Sequence, residues 1–149
     1  MAIVGVREFR VTASAPAVLD HLKDFGNAEH WDPGNRRATR IDAGPIVVGS
    51  TWQHESKILG VSTALTYTLC ELTGDKLVFI GRNEGATSTD TITVRPVEGG
   101  SDVTYHLNLE MHGLAKLATP VMKIEFAKLG DETASRLAGL LGKLGAQAL

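Results

Sequence analysis

Five side chains in this sequence have the chemistry to polarise a carbonyl or to move a proton beside one: Asp90, His54, Tyr67, Tyr105 and Arg82. A carboxylate and an imidazole lining one apolar space would be a candidate acid and base pair. Alternation indicates where they point. Counting back in twos from Val94 and Ile92 in "TSTDTITVRPV" places Asp90 on the inner face of its strand, and Trp52 does the same for His54 in "GSTWQHESK". Other features pull against catalysis. Asp90 lies close to the turn "NEGATSTD", which favours a solvated residue on the rim. His54 fits a hydrogen-bonded wall residue, and Arg82 with Glu84 a rim pair of little energetic weight. No Ser-His-Asp order or nucleophile elbow is present.

Other chemistries find less support. His21, His30, His54, His106 and His112 show neither HxxxH nor HExxH spacing, and His106 and His112 would lie roughly 20 Å apart on an extended strand. Cys70 is the only cysteine, so neither an internal disulfide nor a cysteine metal site can form. "EGGSD" is a glycine pair in a hairpin and not a phosphate loop. Neither a metal nor an organic cofactor is expected. The 15 Lys and Arg against 17 Asp and Glu, giving a net charge of −2, are scattered, which argues against nucleic acid as a partner. "MAIVGVREF" lacks the basic and apolar regions of a leader, and no stretch has the apolar length of a membrane span. A cytoplasmic protein, monomer or dimer, is expected.

The elements that must position these residues are legible. At 149 residues, 43% hydrophobic and 21% charged, the chain fits one domain, residues 1–149, with a single core. "IVGVREFRVTA" predicts a first strand. Ser14 and Pro16 then start a short helix with Val18, Leu19, Leu22 and Phe25 on one side, stopped by Gly26 and Asn27. A second helical turn, "NAEHW", ends at Pro33 and Gly34. Six strand patterns follow: "RRATRID", "GSTWQHESK", "VSTALTYTLCEL", "KLVFIGRNE", "TSTDTITVRPV" and "DVTYHLNLEMH". Their connections carry glycine and are hairpin-short, which predicts antiparallel pairing of neighbours. From Thr119 and Pro120 the period changes: Met122, Phe126, Leu129, Thr133, Leu137, Leu140 and Leu144 form one stripe on a long amphipathic helix. Its partner must be the sheet. The result is an α+β fold in which a curved seven-stranded antiparallel sheet wraps round the final helix, with two short helices after strand 1.

This order of elements, together with "VTASAPAVLDHLKDFGNAEHWDPGNRRA", "GSTWQ", "TVRPVEGGSDVTYHLNLEM" and "GLAKLATPVMKIEF", resembles the START-like (SRPBCC) superfamily. The resemblance covers essentially the whole chain and is closest to its polyketide cyclase/dehydratase and lipid-transport group. It implies a helix-grip fold and a hydrophobic small molecule bound between sheet and helix. Trp31, Trp52, Tyr67, Phe79, Tyr105, Met122, Phe126 and Thr133 are the expected ligand-binding residues, while Leu107 and Leu109 are expected to be packed core. Access would be gated by "FGNAEHWDPG" and the loop before the last helix. Two other readings stand beside binding. One is a cyclase or dehydratase using Asp90 and His54 for proton transfer, and the other a protein-interaction module meeting its partner through the sheet.

Overall fold

From the second strand to the seventh, each run pairs with the next one along the chain, as the glycine-bearing links between them favour. The computed structural model describes residues 2–148. Its strands are β1 (Ala2–Val11), β2 (Asn35–Arg40), β3 (Thr51–Ile58), β4 (Val61–Leu72), β5 (Lys76–Arg82), β6 (Ala86–Val97) and β7 (Gly100–Met111). They form one antiparallel sheet in the order β1-β7-β6-β5-β4-β3-β2, so the first strand closes against the last. Helix α1 (Ala15–Leu22) and a 3-10 helix (Phe25–His30) follow β1; a second 3-10 helix (Gly113–Ala118) leads into α2 (Thr119–Ala148). This is the helix-grip arrangement.

Local chemistry moves two boundaries from the positions expected. The first helix stops at Leu22, ahead of Gly26 and Asn27, because Asp24 reaches forward with its carboxylate to accept the Gly26 amide at 3.0 Å and cap the next helical turn. A short polar side chain that captures a nearby backbone N–H offers the chain an alternative to continuing the helix. Phe25 therefore belongs to the following 3-10 helix. Strand β5 likewise ends at Arg82 rather than running on to Glu84. The Asn83 side-chain oxygen accepts from the amides of both Gly85 and Ala86 at 2.8 Å, which fixes the turn into β6.

The core occupies one end of the sheet. There α1, through Val18 and Leu22, meets Leu69, Leu77, Ile92, Val94 and Val103 from the strands and Leu137 and Leu141 from α2. Phe25 is its aromatic hub. Its ring stacks on Phe79 with centroids 3.9 Å apart and meets Tyr67 edge-on at 4.9 Å. A second, smaller cluster at the other end joins Ile3, Ala86 and Leu109 to the partly buried Met111, Met122 and Phe126.

Helix α2 touches the sheet chiefly along β1. Arg7 on β1 ties it down, donating from Nε to Asp131 at 2.7 Å and from Nη2 to the Ala127 carbonyl at 3.0 Å. Beyond this tie the earlier part of the helix meets the sheet through Met122 and Phe126, which pack against Ile3, Ala86 and Leu109, while Leu114 and Leu117 of the 3-10 turn before it are more than 80% exposed. The expected stripe is thus only partly buried. Leu137 and Leu141, four apart, are fully enclosed, whereas Leu140 is half-buried. No helix of the described residues is long and apolar enough to cross a membrane.

Candidate functional site

Between the two apolar clusters, beneath the earlier part of α2, lies a cavity of about 600 Å³. Its walls are mostly aliphatic and aromatic, with Leu65, Leu107, Leu109, Met122 and Phe126 among them. Towards the open side they include Ile58, Leu59 and Val61 from the β3–β4 hairpin. Strand β6 crosses this space with every second side chain turned inward. Ala86 meets the outer cluster, Ser88 and Asp90 line the cavity, and Ile92 and Val94 enter the core. The polar pair therefore sits where the cavity meets the packed interior.

Asp90 is 5% exposed, and both its oxygens are engaged. Ser88 Oγ donates to Oδ1 at 2.8 Å, and the Tyr105 hydroxyl donates to Oδ2 in a short hydrogen bond. Tyr105 reaches it diagonally, because the residue directly opposite Asp90 on β7 is Leu107. Burial raises the Asp90 pKa to about 6, against the two donors that favour the carboxylate. Burial and the neighbouring Asp90 charge hold the Tyr105 hydroxyl well above the usual phenol range. Tyr67 shares the wall, its ring lying over Gly81 on β5. Asp32, in the loop after the first 3-10 helix, lines the cavity as well; it accepts the Gly34 amide at 2.9 Å, and burial raises its pKa.

Of the expected binding residues, Trp31, Tyr67, Tyr105, Met122, Phe126 and Thr133 are on the cavity wall. Trp52 and Phe79 are not; both are fully buried in the aromatic core around Phe25, and Asp24 accepts the Trp52 indole N–H at 3.2 Å. Asp90 is a buried cavity residue and not a solvated rim residue: β6 begins at Ala86, so Asp90 stands well inside the strand. His54 does not join it. Its ring is 3% exposed, off the cavity wall, with Nε2 3.0 Å from the Phe25 carbonyl oxygen, and burial lowers its pKa to about 4. Arg82 and Glu84 form no ion pair among the described residues, and Leu107 and Leu109 both reach the wall. Ser88 was open to the same counting in twos that turned Asp90 inward; Asp32 lies in a loop without periodicity.

A carboxyl group whose pKa burial raises to about 6, hydrogen-bonded to a phenol and facing an apolar space, can accept a hydrogen bond from a ligand or take a proton from one. The other described residues offer no grouping of three His, Cys, Asp or Glu side chains able to hold a metal.

A comparison with curated proteins finds no match. Among solved structures, the Zhui aromatase/cyclase from Streptomyces sp. R1128 is similar with a TM-score of 0.78 at 8% identity, over 95% of this chain and 94% of that one. A START superfamily protein from Mycobacterium smegmatis is similar with a TM-score of 0.77 at 14% identity, over 95% and 98%. A Chromobacterium violaceum protein reaches 20% identity with a TM-score of 0.67, over 93% and 97%. At these identities the likeness is one of fold. The family model described as polyketide cyclase/dehydrase and lipid transport matches residues 3–142, and with the helix-grip architecture this shows that the chain belongs to that START-like family.

Proposed function

We propose that this protein binds an apolar or amphipathic small molecule in the cavity between sheet and α2. The observation that carries the reading is the cavity itself: about 600 Å³ of mostly apolar-walled space with Ser88, Asp90 and Tyr105 placed where it meets the core. Such a pocket buries a ligand's apolar body while a few placed polar groups fix its orientation. Family membership supports the same reading, since the family description includes lipid transport. With a single, exposed cysteine the chain suits a reducing compartment, and a cytoplasmic site of action is part of the proposal.

The test is native mass spectrometry of protein purified gently from its host, together with fluorescence titration of the neutral dye N-phenyl-1-naphthylamine. A co-purifying mass, or saturable dye binding that Leu107→Trp abolishes in a folded protein, is the expected result. Absence of both would overturn the reading.

The state of Asp90 favours one alternative, acid and base chemistry of the cyclase or dehydratase kind. A carboxylate with a pKa of about 6 can take a proton from a carbon next to a carbonyl, the electron pair moving onto the carbonyl oxygen. His54 is engaged elsewhere, so Asp90 would act with Tyr105. Unchanged turnover in Asp90→Asn would dismiss this role.

A further inference from the structure

Helix α2 turns Met122 and Phe126 inward, which leaves a second row of apolar side chains with nothing to pack against. Leu114, Leu117, Val121 and Ile124 are spaced by three and four residues through the 3-10 helix and the first turns of α2, so they fall on one face, and each is more than half exposed. Leu59 and Val61 of the β3–β4 hairpin are also more than half exposed. Leu59, Val61 and Val121 line the cavity as well, as do Ala115 and Ala118 beside the two leucines in the chain. This apolar surface therefore borders the mouth of the cavity. Single exposed apolar side chains are ordinary, but a group of this size marks a contact.

Charge indicates what covers it. Lys116, Lys123 and Lys128 stand exposed along this stretch against one glutamate, the half-buried Glu125, and Lys57 stands exposed beside the hairpin tip. None of the four lysines is in an ion pair among the described residues. The chain as a whole carries a net charge of −2, so this excess of positive charge is local. A second copy docked through the same face would bring the lysines of one chain towards those of the other, since a two-fold contact lays a patch on itself. An anionic bilayer accepts both features: the leucines enter the boundary of the acyl region while the lysines meet the phosphates.

We propose that the second 3-10 helix, the start of α2 and the tip of the β3–β4 hairpin dock together on an anionic lipid bilayer, with the mouth of the cavity turned towards the lipid. The experiment is co-sedimentation of the full chain with vesicles of equal parts phosphatidylcholine and phosphatidylglycerol, and with vesicles of phosphatidylcholine alone. The chain should bind the anionic vesicles, and the neutral ones at least about tenfold more weakly. Leu114→Ser with Leu117→Ser, both off the cavity wall, should weaken binding to the anionic vesicles by at least about tenfold. The same double variant should keep its unfolding midpoint and its binding of the dye N-phenyl-1-naphthylamine. Lys116→Glu with Lys128→Glu should remove the preference for anionic lipid. No binding to anionic vesicles would overturn the proposal, and so would binding that the leucine substitutions leave unchanged. Sedimentation equilibrium of the lipid-free chain tests the other occupant: a dimer that the leucine substitutions dissociate would assign the face to a second copy and overturn the bilayer. A chain that binds the anionic vesicles but no dye would support the docking and count against the cavity reading alone.

Discussion

The ring of Tyr67 occupies the space that a side chain at Gly81 would need. The two are direct partners across β4 and β5, and a Cβ built on Gly81 falls 2.6 Å from the Cε1 and Cζ atoms of the tyrosine. Because Phe25 and His54 hold that ring from the other sides, it has nowhere to retreat except into the cavity. Gly81→Ala should therefore cost about 1–3 kcal/mol in denaturant unfolding. Tyr67→Leu should recover part of that loss in a double-mutant cycle, while additive costs would show that the contact is not the cause.

Asp90 and His54 set opposite pH dependences. The Asp90 pKa is raised from 3.8 to about 6, so the folded state holds its proton longer than the unfolded chain and stability falls as pH rises across that interval. That of His54 is lowered from 6.5 to about 4, so stability rises with pH across nearly the same interval. At about 1.4 kcal/mol per pKa unit each effect is on the order of 3 kcal/mol, and they largely cancel. The joint contribution of these two groups to the unfolding free energy should thus change little between pH 4 and 6.5. Asp90→Asn should uncover the rising limb and His54→Gln the falling one, as read from urea titrations at several pH values. A flat profile in Asp90→Asn would refute the pairing of effects.

Leu59, at the tip of the β3–β4 hairpin, has φ +53° and is followed by Gly60 at +80°. That turn favours asparagine or glycine, and a leucine there costs roughly 1 kcal/mol. Leu59 is also 56% exposed on the cavity wall. Leu59→Asn should raise stability by about 1 kcal/mol and lower the affinity for N-phenyl-1-naphthylamine, the two measured on one preparation. A stability loss would show that the leucine packs more than its exposure indicates.

Arg7 holds α2 to β1 through partly exposed groups. Arg7→Ala should change global stability by no more than about 1 kcal/mol. Amide hydrogen exchange in residues 119–131 should nevertheless accelerate, since the tie is local. Unchanged exchange there would place the anchorage of this part of the helix elsewhere.

The strands and the pairing of β2 through β7 were legible because alternation and glycine-bearing turns are local signals, and Leu65, Tyr67 and Leu69 carry theirs within one run, whereas the pairing of β1 with β7 has no local signal. Asp90 was legible to the extent that counting in twos turned it inward; its depth depended on where β6 begins, a matter of the Asn83 turn. Trp52 and Phe79 mark the limit. Both point inward as alternation requires, but whether an inward ring meets ligand space or another ring depends on how Phe25 packs, and Phe25 arrives from a helix whose end was set by Asp24. Facing is a property of one strand, whereas emptiness is a property of everything opposite it.

The sheet order has a consequence for how the molecule comes into being. Strands β2 to β7 can zip in sequence as hairpins, but β1 must wait for β7, pairing Ala2 with Glu110 and Val11 with Ser101. Closing so long a stretch of chain is entropically costly and slow compared with forming hairpins. During synthesis the first strand therefore spends most of its early life without its partner. Since α2 rests chiefly on β1, the roof of the cavity can be laid only after this last seam has closed.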